Sequence, residues 1–261
     1  VKKDGYSIIN IDDSASDKII DNTKSTIVKY SLNQKADFTA KNIELSTSGV
    51  SFKLNNYDKK INLNITGKFN IYNALAAIAV ASVLDIDYNT IKEGLEKIKG
   101  ISGRFELIKE NQDYTVIVDY AHTADGMKNV LKTVKELTEN NIVVVFGCGG
   151  DRDKEKRPKM GKVATKYGDF VFITTDNPRS EKPEAIIKDI EKGLVKNKEK
   201  YRIIVERKKA IYKAIEMANK NDIVVIFGKG HETYQVFKNK TIHFDDREVA
   251  REAIRSKKER I

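Results

Sequence analysis

The chain has 261 residues, 40% of them hydrophobic and 33% charged, which suits a soluble globular protein of one large or two modest domains. Its net charge of +10 permits anionic small molecules or nucleic acid as partners. The basic residues do not gather in a tract with interleaved aromatics, so the excess reads as a Lys-rich solvated surface and no nucleic-acid partner is expected. Cys148 is the only cysteine, which excludes an internal disulfide and a thiolate metal cluster and makes the cytoplasm the default compartment. No apolar run approaches the ~18 residues of a membrane span. The longest, over 74–84, is Ala-rich and reads as a close-packed buried helix, so no membrane insertion is expected. Val1-Lys2-Lys3-Asp4-Gly5 is followed by no signal-like apolar core, and the missing initiator Met gives the expectation of a piece of something longer.

In chain order, short β-like runs fall at 6–10, 26–30, 38–45, 50–54 and 61–65, the later ones alternating apolar and polar as half-buried strands do. Helical patterns follow over 70–84 and 88–98. Gly100 and Gly103 then punctuate the chain. A domain boundary is placed there, giving units 1–101 and 102–261. Beyond it the rhythm becomes strand, helix, strand, helix. Strands are predicted at 115–118, 142–146, 170–174, 203–205 and 223–227. Helices are predicted at 126–137, 160–166, 183–194 and 209–218, with mixed-sign charge along stretches such as 188–200. Pro183 stands near a helix N-terminus, where its missing N–H costs little. A hairpin around Asn239 and a helix from Asp246 close the chain. The alternation implies an α/β fold with a mostly parallel sheet and helices on both faces.

Polar constellations follow four of the predicted strands, which is where open α/β sheets bind ligands. They are Asp119-Tyr120-Ala121-His122, then Gly147 through Asp153, then Asp176-Asn177-Pro178-Arg179, then Gly228-Lys229-Gly230-His231-Glu232. Taken singly, each has a plain structural alternative. Asp119 suits an N-cap. The glycine run suits a tight turn with Cys148 as a small filler. Lys229 suits a solvated position, His231 a satisfied structural histidine, and Asp176 to Arg179 an ordinary surface turn. The ligand-binding alternative for that turn rests on Arg, whose planar fork fits a carboxylate, and on Pro178, which stiffens the backbone beside it. Four such turns at four strand ends point to one shared crevice.

Six stretches, in order and at matching spacing, carry a resemblance to a known family. They are Gly67-Lys68-Phe69-Asn70-Ile71-Tyr72-Asn73-Ala74-Leu75-Ala76-Ala77, Gly103-Arg104-Phe105-Glu106, Val118-Asp119-Tyr120-Ala121-His122-Thr123, residues 146–158, residues 176–179 and residues 228–232. From Gly67 to its end the chain resembles the C-terminal half of a Mur ligase, and residues 1–66 fit more loosely as the tail of that family's central ATPase domain. The resemblance implies a Rossmann-like C-terminal domain preceded by the C-terminal part of the ATPase domain. It implies ATP-dependent amide formation through an acyl phosphate in peptidoglycan precursor synthesis, with UDP-MurNAc-L-Ala-D-Glu and meso-diaminopimelate as substrates and a monomeric enzyme.

Residue by residue, the resemblance implies ATP contacts from Asn70, Asn73, Arg104 and Asp119. Asn73 would lie near the adenine, Asp119 at the ribose hydroxyls, and Arg104 at the phosphates as the catalytic residue. His122 lies close by without a chemical step. The diaminopimelate pocket would comprise Arg152, Asp176, Asn177, Pro178, Arg179, Gly228 and Glu232. Arg179 favours an acceptor with a distal carboxylate, which lysine lacks. The family's phosphate-binding loop and its Mg²⁺ ligands have no counterpart here and are expected upstream of Val1, so the chain alone is expected to be inactive. Other readings remain: a related ligase using lanthionine, lysine or a cyanophycin-type acceptor, or a non-catalytic nucleotide- or nucleic-acid-binding module.

Overall fold

The computed structural model describes residues 2–194 and 198–260. Two compact units divide between Gly100 and Ile101. In the first, β1 (Tyr6–Asn10), β2 (Thr26–Ser31), β3 (Phe38–Ser46), β4 (Gly49–Leu54) and β5 (Tyr57–Leu63) form one sheet in that order. The pairs β1–β2 and β2–β3 are parallel, and β3–β4 and β4–β5 antiparallel. The short helix α1 (Ser16–Asp21) crosses between β1 and β2. Helix α2 (Lys68–Val83) buries Ile71, Ala74, Leu75, Ile78 and Ala79 in one core with Phe52, Ile61 and Leu63. Alanine at two of those helix positions lets the backbone approach the sheet closely. Helix α3 (Tyr88–Glu96) starts where Asp87 accepts hydrogen bonds from the amides of Asn89 and Thr90.

Sequence patterning missed α1, whose six residues bury only Ser16 and so carry no apolar period. It also placed the fifth strand late. Tyr57 pairs with Leu54 across a tight turn, and this draws the strand's start forward from the expected residue 61.

The second unit holds β6 (Glu106–Ile108), β7 (Thr115–Asp119), α4 (Ala124–Leu137), β8 (Ile142–Phe146), α5 (Lys156–Tyr167), β9 (Phe170–Ile173), α6 (Pro183–Glu191), β10 (Tyr201–Ile203), α7 (Arg207–Met217), β11 (Ile223–Phe227), β12 (Tyr234–Phe237), β13 (Lys240–His243) and α8 (Asp246–Lys258). Six strands lie in the order β10-β9-β8-β11-β7-β6. All pairings are parallel except that of β6, an edge strand the sequence did not reveal. Val116, Val118, Val143, Val145, Phe172, Val224 and Ile226 pack against Ala210, Ile211, Ala214 and Ile215 of α7 and Val249, Ala250 and Ile254 of α8. Their alternates turn to the opposite face, where α5 lies against β9 between α4 and α6. This is a Rossmann-like doubly wound sheet.

Helix α6 stops at Glu191 rather than at residue 194, and the helical reading over 188–200 includes 195–197, which lie outside the described residues. Strand β10 sits two residues earlier than expected, because its parallel register pairs Tyr201 with Val171 and Ile203 with Ile173, the last residue of β9. Helix α5 begins at Lys156, four residues earlier than expected, since Pro158 is tolerated in a first turn. Among the described residues no helix is long and apolar enough to cross a membrane.

Candidate functional site

Strands β9, β8, β11 and β7 are consecutive neighbours in the sheet and parallel, so the four polar turns that follow them emerge along one edge. The chain runs outward from β8 to β9 to β10 and then returns to insert β11 between β8 and β7. That reversal is the switch point at which such sheets open a crevice.

On the β9 side, Asp176, Asn177 and Pro178 are buried. Asn177 donates from Nδ2 to Glu232 Oε2 at 2.9 Å and accepts at Oδ1 from Lys229 Nζ (2.9 Å) and from the Val236 amide (3.0 Å). Asp176 Oδ1 is buried without a hydrogen-bond partner and lies 3.6 Å from Lys229 Nζ. Arg179 takes a left-handed φ of 52° and donates from Nη1 to the Gly150 carbonyl at 2.8 Å. Arg152 is exposed, and its Nη1 donates to the Asp151 carbonyl at 3.2 Å. The two guanidinium residues flank Gly149. A Cβ there would stand 2.9 Å from Arg179 Nη1 and 3.8 Å from Arg152 Cγ. Neither arginine has a carboxylate partner among the described residues.

At the end of β11, Gly228 has φ 116°, and a Cβ on it would meet Asp176 Oδ2 at 2.9 Å, so glycine is required twice over. The Gly228 amide donates to the Asp119 carbonyl, tying β11 to β7. Asp119 is buried. Its Oδ1 accepts from the Ala121 amide (2.7 Å) and its Oδ2 from the Phe105 amide (2.8 Å). Burial nevertheless raises its pKa above the ordinary carboxylate value, the two amides and Arg104 opposing. Arg104 is exposed, with its guanidinium 4.6 Å from the Tyr120 ring centroid; that ring contacts His122 edge-on and His231 at 5.4 Å. In the first unit, Asn70 is buried at the start of α2, donating from Nδ2 to the Thr66 carbonyl and accepting at Oδ1 from exposed Asn73.

Thus the structure gathers Arg152, Asp176, Asn177, Pro178, Arg179, Gly228 and Glu232 around Asn177 and Gly149, and sets Arg104 and Asp119 at the next strand end. Three contributors were missed. Lys229 is fully buried, not solvated as sequence alone allows. Its place between two glycines after a fully buried strand was the available signal. Arg207 is fully buried at the start of α7, donating from Nε to Asp246 Oδ1 (2.7 Å) and from Nη2 to Asp246 Oδ2 (2.6 Å) and to the Phe227 carbonyl. Arg157 is equally buried and grips Glu181 with two bonds, Asp189 with a third and the Gly149 carbonyl with a fourth. Both arginines sit in basic runs that look solvated in sequence.

Comparison with known proteins supplies the class. The profile of the Mur ligase glutamate ligase domain matches residues 103–230, and that of the Mur ligase middle domain matches residues 1–81. The chain belongs to the Mur ligase family. It is 50% identical over 253 residues to the UDP-N-acetylmuramoyl-L-alanyl-D-glutamate–2,6-diaminopimelate ligase of Clostridioides difficile (strain 630), across 95% of this chain and 52% of that protein. It is 48% identical to the enzyme of the same name from Halalkalibacterium halodurans, across 96% of this chain and 52% of that one. A solved structure of a ligase of that name matches with a TM-score of 0.66 and 35% identity, covering 97% of this chain and 54% of its own. The chain spans about half the length of the curated relatives it matches.

Proposed function

We propose that this chain supplies the amino-acid pocket and part of the nucleotide site of an ATP-dependent ligase that adds meso-diaminopimelate to UDP-MurNAc-L-Ala-D-Glu. A carboxylate is a poor electrophile, so the γ-phosphate of ATP is transferred to the D-Glu γ-carboxylate. The amine of diaminopimelate attacks the resulting acyl phosphate, and phosphate leaves from a tetrahedral intermediate. This chain's residues position the reactants and balance their charge. Asn73, oriented by Asn70, meets the adenine, whose edge both donates and accepts. Asp119, held by two backbone amides, keeps a lone pair on each oxygen for the ribose hydroxyls. Arg104 serves the phosphates. Among the described residues no group of three or more His, Cys, Asp and Glu side chains could hold a metal ion.

The observation that supports this reading is the pair of guanidinium residues flanking Gly149 that have no carboxylate partner among the described residues, at the same sheet edge as two carboxylates, Glu232 and Asp176. An amino acid with a carboxylate and an ammonium at each end matches that distribution. Calorimetric titration with meso-diaminopimelate, lanthionine and lysine tests it. Lysine leaves a guanidinium unpaired and is expected to bind 10- to 100-fold more weakly, about 1.5–3 kcal/mol. Equal affinity for lysine and diaminopimelate would remove the basis of the assignment. Lanthionine keeps both carboxylates, so its affinity relative to diaminopimelate fixes which of the two the pocket fits better.

A further inference from the structure

Lys229 is a buried cation of the site that none of the roles above uses. Its side chain is fully buried, and its ammonium meets four groups: Asn177 Oδ1 at 2.9 Å, the Tyr234 carbonyl at 2.6 Å, Glu232 Oε2 at 3.4 Å and Asp176 Oδ1 at 3.6 Å. Burial pulls its pKa down from the ordinary lysine value, and the two carboxylates oppose that pull.

The geometry points to Lys229 as a positioning residue that fixes the Asn177 amide and the Glu232 carboxylate in the arrangement that receives the amino acid's ammonium. The inference rests on the amino-acid pocket proposed above. An asparagine amide can sit either way round, and its surroundings decide. Here Asn177 Oδ1 faces two donors, Lys229 Nζ and the Val236 amide, so the NH₂ end is turned onto Glu232 Oε2. With Oε2 engaged by both Asn177 and Lys229, Glu232 Oε1 keeps its lone pairs, having no partner among the described residues. Two carboxylates face one ammonium at this point, since Arg207 is matched by Asp246. The cluster therefore carries a net charge of −1 and suits one added cation.

Lys229 also ties the hairpin to the turn. Through the Tyr234 carbonyl it anchors β12, whose Gln235 side chain donates to the Asp176 carbonyl and whose Val236 carbonyl accepts from the Arg179 amide. One ammonium thereby links the turns after β9 and β11 to β12.

The test separates positioning from charge alone. Lys229→Met is expected to raise the Kd for meso-diaminopimelate at least tenfold while the Kd for ATP stays within twofold. In an Asn177→Ala background the same substitution is expected to cost several-fold less than in the parent, because most of its effect passes through Asn177 and only the longer contact to Glu232 remains. Side-chain amide signals of Asn177 in an NMR spectrum, recorded without ligand, are expected to be slowly exchanging in the parent and averaged in the variant. Lys229→Gln, which keeps a donor, gives the same readouts at smaller amplitude if Lys229→Met does not fold. Unchanged or tighter diaminopimelate binding, equal losses in both backgrounds, or an unaltered Asn177 signal would each overturn the inference. If the parent binds none of the amino acids while the Asn177 signal still responds to Lys229, the substrate assignment falls and the positioning contact stands.

Discussion

Four arginines of the second unit fall into two contrasting pairs. Arg157 and Arg207 are fully buried, and each grips a carboxylate with two parallel hydrogen bonds. Arg152 and Arg179 lie at the rim, and each donates only to a neighbouring backbone carbonyl. The first pair is satisfied from within the chain and holds loops in place: Arg207 joins α7 to α8 and to the end of β11, and Arg157 joins α5 to α6 and to the glycine turn. The second pair has donors to spare and a shared neighbour in Gly149. Guanidinium groups whose carboxylate partners come from the protein build the crevice, and those without a carboxylate partner among the described residues are the ones proposed to serve a ligand.

The contrast breaks if the buried pair proves dispensable for folding. Replacing Arg207 by Met strands the Asp246 carboxylate, which is fully buried, and is expected to cost about 3–5 kcal/mol in urea unfolding. Adding Asp246→Leu to that variant is expected to restore part of the loss, since the uncompensated charge goes with it. Arg157→Met should cost less, about 1.5–3 kcal/mol, because Glu181 and Asp189 keep access to water. A loss under 1 kcal/mol in Arg207→Met would show that the internal pair does not hold this sheet edge together.

How much of this could be read beforehand differs between the two kinds of residue. Asp176, Arg179 and Glu232 were legible because strand ends are marked by apolar runs, and polar residues just after such runs stand out. The four parallel strands β7, β8, β9 and β11 were legible for the same reason, their valines and isoleucines being buried on both faces. Arg157 and Arg207 were illegible as interior groups, since their burial is set by partners far along the chain. Asp246 lies 39 residues from Arg207, and Glu181 24 residues from Arg157. β6 was missed because three residues carry no period, and β10 was displaced because its register is dictated by β9.

The rim pair sharpens the contrast in the opposite sense. Arg179→Gly removes the fork and relieves the left-handed backbone at φ 52°, so unfolding stability is expected to change by less than about 1 kcal/mol. Diaminopimelate affinity is expected to fall 10- to 100-fold in the same protein, as for loss of a charged hydrogen bond of about 1.5–3 kcal/mol. A parallel loss of stability would place Arg179 with the buried arginines.

A smaller effect comes from pH. The Arg157 guanidinium and the Asp151 amide hold the Glu181 carboxyl down at about 2, below its ordinary 4.5. A carboxyl depressed in the folded state stabilises it above its unfolded pKa. That contribution is fully present above pH 4.5 and is lost as pH falls toward 2. Glu181→Gln should flatten this part of the stability curve. A variant that keeps the parent's full acid dependence there would assign it to other carboxylates.

The mildest test uses Cys148, which lies in the same glycine turn that the two rim arginines flank. Its Sγ is buried 3.6 Å from Met160 Sδ, and burial pushes its pKa up to about 12, with the Asp176 charge adding to the effect. Since the thiolate is the reactive form, a disulfide reagent at pH 8 should leave the native thiol unlabelled and modify it fully in denaturant. Labelling then reports how often the turn opens. It should change little in Arg179→Gly, which frees the Gly150 carbonyl alone, and be faster in Arg157→Met, which frees the Gly149 carbonyl and also releases Glu181 and Asp189. Equal labelling in both variants would mean that the turn's closure owes nothing to the buried arginine, and the division between the two pairs would fail where they meet.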